Sequence, residues 1–280
     1  METIGARLHH PELGSAVPAE IASYYGEKLG MRITELDDGR IFCSTPKRRV
    51  INALGQSRTL GFAAYGFDCE KSFDVLRRRV ELLKIPITDS NSPLFGDSAF
   101  RITDPDGTSL IFGLIDKGIN MMDQQHPESL SGRLQHIVMG SKRCEEFVRF
   151  YSVDLGFMPS DFVYRSDGVL TICFLRSDDE HHSFAVLQTA EYRFAYHCYE
   201  TVGWGALKNL GDRFAERRIP VEWGPGRHEP GNNFIFIHDP DVNWVEFSGE
   251  MQIVPSNRTA GRRNHEEQTL NLWGRAPLRA

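Results

Sequence analysis

The chain has 280 residues, 40% hydrophobic and 25% charged, a globular composition with room for one large or two ordinary domains. A net charge of −6 argues against a polyanion such as nucleic acid as partner, no apolar run is long enough to cross a bilayer, and the opening METIGARLHHPEL lacks the basic-then-apolar layout of a secretory signal, so a cytoplasmic protein is expected. The five cysteines (Cys43, Cys69, Cys144, Cys173, Cys198) form no CxxC pair and read as reduced, buried small hydrophobes, with neither a disulfide nor a thiolate metal site expected.

In chain order, LHHPEL reads as a strand. Ile21, Tyr25 and Leu29 then recur every four residues behind Pro18, a favoured first helical residue, and Gly30 stops the helix. Phe73, Leu76, Val80 and Leu83 mark a second helix. FRITDPDGTSLIFGL reads as a hairpin around its DPDG turn. The order then repeats. LQHIVM is a strand, and Phe147, Val148, Tyr151 and Leu155 form a stripe with Ser141 as N-cap and Gly156 as stop. Leu207, Leu210 and Phe214 give a fourth helix, and NFIFIHDPDVNWVEFSG a second hairpin.

The repetition is a duplication. His10 matches His136, Tyr25 matches Tyr151 and Gly30 matches Gly156, all at an offset of 126, and Asp104-Pro105-Asp106 matches Asp239-Pro240-Asp241 at 135. The expected architecture is α+β: two tandem domains, each of two βαβββ modules with curved sheets. Their expected bounds are 1–120 and 131–254, joined by a polar junction near 117–131. A tail, 255–280, follows; it is either disordered or a strap across a neighbouring subunit through Leu270, Leu272 and Trp273.

The two halves differ at matched positions. Strands of the second half carry His136, His197 and Glu246, where landmark counting in the first half gives His10, Ala63 and Ile111. Strand parity puts each of the three on one face of its strand. A charged Glu in the apolar run NWVEFSG needs a partner if buried, and a cation is the simplest. Two imidazoles and a carboxylate with open positions suit non-heme Fe(II). The expectation is therefore a metal-holding second lobe and a metal-free first one.

The stretches LQHIV, EHHSFAVL, YHCYE and GPGRHEPGNNFIFIHDPDVNWVEF, spanning about 131–250, resemble the catalytic domain of type I extradiol ring-cleaving dioxygenases in the vicinal oxygen chelate superfamily. The resemblance implies an enzyme that opens a catecholic ring beside its vicinal hydroxyls with both atoms of O2, using Fe(II), with Mn(II) second. It implies iron on His136, His197 and Glu246, a proton-exchanging His182, and a substrate-bonding His228. His181 is the competitor for the role of His182. The tyrosine such enzymes carry ten residues before the carboxylate is Phe236 here, leaving Tyr196, Tyr199 or Tyr164 to supply a hydroxyl; Phe236 and Tyr199 are taken with His228 as the substrate-facing set. The implied partners are a small aromatic diol, O2 and further copies of the chain. Two other readings remain open: a non-catalytic aromatic-binding protein of the resistance type, and a hydrolase or isomerase using Zn(II) or Mn(II). Core packing suits Trp204, Trp223 and Trp244 better than a pocket wall.

Overall fold

A computed structural model describes residues 3–115 and 132–276; the expected junction, with His126, lies outside them. The first half runs β1 (Ala6–Ser15), α1 (Pro18–Leu29), β2 (Arg32–Glu35), β3 (Ile41–Ser44), β4 (Arg49–Leu54), then β5 (Thr59–Phe67), α2 (Glu70–Leu82), β6 (Thr88–Asp89), β7 (Phe100–Thr103) and β8 (Ser109–Leu114). The second runs β9 (Leu134–Ser141), α3 (Cys144–Arg149), β10 (Met158–Tyr164), β11 (Leu170–Arg176), β12 (Phe184–Gln188), then β13 (Arg193–Thr201), α4 (Trp204–Glu216), β14 (Trp223–Arg227), β15 (Asn233–His238) and β16 (Trp244–Gly249). These are four βαβββ modules, two to a sheet, in an α+β fold.

Each helix follows from its apolar spacing. Ile21, Tyr25 and Leu29 bury one face of α1, and Gly30 caps it at φ 67°, ψ 30° with its N–H donating to the Gly26 carbonyl. The repeat mate Gly156 (φ 90°) ends the third helix, but that helix is not uniformly α: beyond α3 it widens into a π-turn over Phe150–Leu155. Ser141 does not cap α3. It ends β9, and its Oγ accepts the Arg143 N–H. No helix among the described residues is long and apolar enough to cross a membrane.

The sheets have matching orders, β2-β3-β4-β1-β5-β8-β7-β6 and β14-β15-β16-β13-β9-β12-β11-β10, the second extended beyond β10 by one strand from the tail. The opening strands of the modules, β1 with β5 and β9 with β13, pair antiparallel at the centre. The same bulges interrupt both pairs. His9 is the extra residue on β1 and its repeat mate Gln135 the extra residue on β9, while Gly61 and Ala195 are the extras on β5 and β13.

The additional strand β17 (Gly261–Asn264) comes from the tail, lies parallel to β10, and is followed by a short helix α5 (Glu267–Leu270). The tail therefore folds on its own domain. Arg263 of β17 is ion-paired with Glu229 just past β14, and the Leu272 N–H donates to the Arg227 carbonyl of β14 at 2.7 Å. Flat, a nine-stranded sheet would hold its edge strands about 38 Å apart at about 4.8 Å per step. An ion pair between the edges requires the sheet to be strongly curled.

The halves join by crossed contacts. Tyr151 of the second half donates to Asp104 of the first at 3.0 Å, and Tyr25 of the first donates to Asp239 of the second at 3.4 Å. The tyrosines are repeat mates, as are the aspartates. Aromatic stacking of Phe147, Tyr151 and Phe184, at 4.4–5.5 Å between centroids, continues the shared core.

Candidate metal centre

The concave face of the second sheet is built on one rung. Cys198 of β13 pairs with His136 of β9 on one side and Glu246 of β16 on the other, and Glu246 pairs with Phe236 of β15. Residues paired across neighbouring strands share a face, so these four side chains stand together. His136 Nε2 lies 3.0 Å from Glu246 Oε2, and donor atoms of His136, Cys198 and Glu246 all fall within 4.8 Å of one another. All three residues are buried.

Two further imidazoles close on this rung. His228 Nε2 stands 3.5 Å from Glu246 Oε1, and neither atom has a hydrogen bond of normal geometry. The other ring nitrogen of His228, Nδ1, is 2.6 Å from the Leu270 carbonyl in the tail. The His182 ring lies 4.3 Å from that of His136. His181 and His182 sit in the bend before β12 rather than on a strand, and both are buried. His182 faces the centre; His181 turns away, with Nδ1 3.0 Å from Nδ1 of its neighbour.

Burial pushes a carboxyl pKa up, but the His136 and His228 imidazoles beside Glu246 outweigh it and hold that group down at about 2. A buried carboxylate with one oxygen lacking a hydrogen bond, faced by imidazole nitrogens and a sulfur, is a donor set that fits a divalent cation.

His197 is not part of the set. It occupies the opposite face of β13, where its Nε2 lies 3.3 Å from the Tyr25 hydroxyl of the first half. Each proton is used once if His197 Nε2–H donates to Tyr25 and Tyr25 donates to Asp239. Burial, then the nearby His136, lowers the His197 pKa to about 3. The expected convergence of His136, His197 and Glu246 therefore holds for two residues of the three. The third place on the rung belongs to Cys198, which its spacing marked only as a buried thiol.

Tyr199 shares the core face with His197. Its ring lies 5.1 Å from the His197 ring and under the Arg48 guanidinium, so it does not meet the site either. Tyr164 lies on β10 under Arg262. Tyr196 is the tyrosine that borders the rung, edge-on to Phe236 at 5.2 Å and to His136 at 5.9 Å. Phe236 continues into an aromatic wall: Trp223 stacks on it at 5.0 Å, with Phe234 at 5.5 Å and Trp244 at 5.8 Å. Trp223 and Trp244 thus do wall the site, whereas Trp204 lies outside against Trp273 of the tail at 5.3 Å.

Residues 133–247 match the model of the Glyoxalase/Bleomycin resistance protein/Dioxygenase superfamily. The fold is similar to homoprotocatechuate 2,3-dioxygenase of Arthrobacter globiformis, with TM-score 0.80 and 21% identity over 98% of this chain and 89% of that one. It is similar to the 2,3-dioxygenase LapB of Pseudomonas sp. KL28, with TM-score 0.80 and 17% identity over 92% and 97%. It is also similar to a Mn(II)-bound glyoxalase of Novosphingobium aromaticivorans, with TM-score 0.78 and 20% identity over 96% and 91%. No curated protein matches the chain in sequence. The two tandem sheets thus have the fold of the extradiol dioxygenases, and the stretch that matches the superfamily model, residues 133–247, is the one that carries His136, Cys198 and Glu246.

Proposed function

We propose that the chain is a metal-dependent extradiol dioxygenase acting on a small catecholic ring. The observation that carries this reading is the rung itself: a buried imidazole, carboxylate and sulfur, with two more imidazoles above and an aromatic wall beside. His136, Glu246 and Cys198 would hold the cation, with Fe(II) the ion suited to oxygen chemistry. Bound there, such an ion supplies Lewis acidity toward the diol oxygens and a path for electrons to O2.

The remaining work falls to this chain's side chains. Trp223, Phe234, Phe236 and Trp244 offer flat apolar faces that favour a planar ring and exclude water. His228 donates its Nδ1 proton to the Leu270 carbonyl, which leaves Nε2 a lone pair aimed into the site. That atom can accept a hydrogen bond from a substrate hydroxyl. His182 stands over His136, where it can take a proton from the diol and later return it to an oxygen. Phe236, where a tyrosine would offer a hydroxyl, can only pack; the bordering tyrosine is Tyr196.

The test is anaerobic loading with Fe(II), Mn(II) or Zn(II), addition of a panel of catechols, then admission of air with oxygen uptake and visible absorbance followed together. Uptake that requires both iron and a catechol, with a yellow ring-opened product, is the expected result. A second reading, a lyase or isomerase of the glyoxalase kind, is favoured by one observation: the rung brings one imidazole and a thiol where oxygen chemistry calls for two imidazoles. Its signature is turnover with Mn(II) or Zn(II) and no oxygen consumed.

A further inference from the structure

Asp161 of β10 is buried and takes four donors. Its Oδ1 accepts from Arg258 Nη2 at 2.8 Å and from the Gly261 N–H at 3.1 Å; its Oδ2 accepts from Arg263 Nε at 2.7 Å and lies 3.0 Å from His181 Nε2. A carboxylate so surrounded is ionised and can only accept, so the proton of the last contact sits on His181 Nε2. His181 Nδ1 faces His182 Nδ1 at 3.0 Å, and one proton must lie between them. A neutral His181 already carries its proton on Nε2, so this one belongs to His182.

We propose that Asp161 and His181 are positioning residues that fix His182 as its Nδ1–H tautomer, so that His182 Nε2 meets the site as a lone pair. His182 then begins the reaction as a proton acceptor and becomes a donor only after it has taken a proton from the substrate. His228 arrives at the same state by a separate route, through the Leu270 carbonyl. Both outer partners depend on the tail, since Arg258, Gly261 and Arg263 hold Asp161 and Leu270 holds His228. The tautomer assignment stands on these contacts alone; its bearing on order of proton transfer rests on the dioxygenase reading above.

Two substitutions separate the relay from simple packing. His181→Gln puts an amide near the former Nε2 position, keeping the Asp161 bond and losing the His182 contact. His181→Asn puts an amide oxygen near the former Nδ1 position and does the reverse. The first readout is the proton-coupled nitrogen spectrum of histidine-labelled, metal-free full-length protein, with His182 signals assigned by their loss in His182→Gln. We expect an Nδ1–H tautomer for His182 and an Nε2–H tautomer for His181 in the native chain. His182 should keep its tautomer in His181→Asn and lose it in His181→Gln. With iron and catechol, kcat should fall about 10-fold to 100-fold in His181→Gln with KM little changed, and recover in His181→Asn, as for outer partners of site histidines. An Nε2–H tautomer for His182 in the native protein overturns the proposal, as do identical spectra and kcat for the two variants. Should both variants fail to fold, the native spectrum decides. Should no catechol turn over, the spectrum still reports, and the dioxygenase reading alone fails.

Discussion

The concave faces of the two sheets start from the same backbone and end in opposite chemistry. In the first half the rung is His10, Ala64 and Ile111; in the second it is His136, Cys198 and Glu246. Ile111 and Ala64 pack with Ile51, Phe62 and Leu94 into a small apolar cluster that fills the first face. His10, the imidazole of that rung, is taken up by its neighbours: His9 Nδ1 lies 2.6 Å from its Nδ1 and Ser92 Oγ 2.8 Å from its Nε2. The same curled sheet therefore carries either an apolar cluster or a buried polar set, according to one carboxylate and one thiol. Scaffold and site are separable.

Substitutions that convert one face toward the other test this. Glu246→Ile copies the first half, and should abolish metal-dependent turnover and weaken Mn(II) binding by at least about 100-fold while the fold survives. Equal Mn(II) affinity in the variant and the native chain would remove Glu246 from the site. His182→Ala should retain the cation yet lose about 10²–10⁴ in turnover; full turnover in single-substrate kinetics removes His182 from the chemistry. Cys198→Ala, copying Ala64, should lower affinity about 10-fold and erase any sulfur-to-metal absorbance of the Co(II)-loaded protein. A Co(II) spectrum unchanged by that substitution means the sulfur is not a ligand.

The two halves agree in a second respect, the crossed aspartates. Burial raises Asp104 and Asp239 from 3.8 to about 6, against the hydrogen bonds that lower them. A carboxyl raised in the folded state contributes stability that is complete below its unfolded pKa and is lost as pH climbs through the folded one. Between pH 4 and 6 each should thus reduce stability by about 1–3 kcal/mol, and Asp104→Asn should flatten that part of the unfolding curve. A slope unaltered by Asp104→Asn contradicts the assignment. The smallest effect concerns the turns: Gly107 holds φ 93° in one DPD loop, but its counterpart Val242 holds φ 61° in the other. A β-branched residue there is strained, so Val242→Gly should add about 1 kcal/mol, or about 2–4 °C in melting temperature. A lower melting temperature would show that the valine side chain contributes more than the strain costs.

Helices, hairpins and the duplication were legible because each leaves a periodic or punctuated trace: Ile21-Tyr25-Leu29, DPD, the paired glycines. The rung was legible in part. His136 and Glu246 stand out by their positions against the repeat landmarks, and Glu246 also as a charge in an apolar run. Which residue of AYHCY joins them depends on the bulges at Gln135 and Ala195, which shift register by one, and neither has a local signature. Parity places His197 with Tyr199 correctly, but not which face of the sheet they take. The spacing that singled out His182 led to the imidazole facing the centre, yet its tie through His181 to Asp161 joins a bend to a strand 20 residues earlier in sequence and cannot be read from order. Arg258 and Arg263 reach Asp161 only because the tail strand β17 pairs with β10, a pairing that no pattern in the tail announces.

The crossed tyrosine contacts carry one more consequence. Tyr25 belongs to the half whose rung carries no carboxylate, yet its hydroxyl touches His197, the residue next to Cys198 on the strand that forms the other rung. Neither copy of the ancient duplicate can finish its own interior: each keeps a phenol whose acceptor lives in the sibling. Severed, the second copy would lose the brace behind its central strand, so the first copy is the mould in which the second sets.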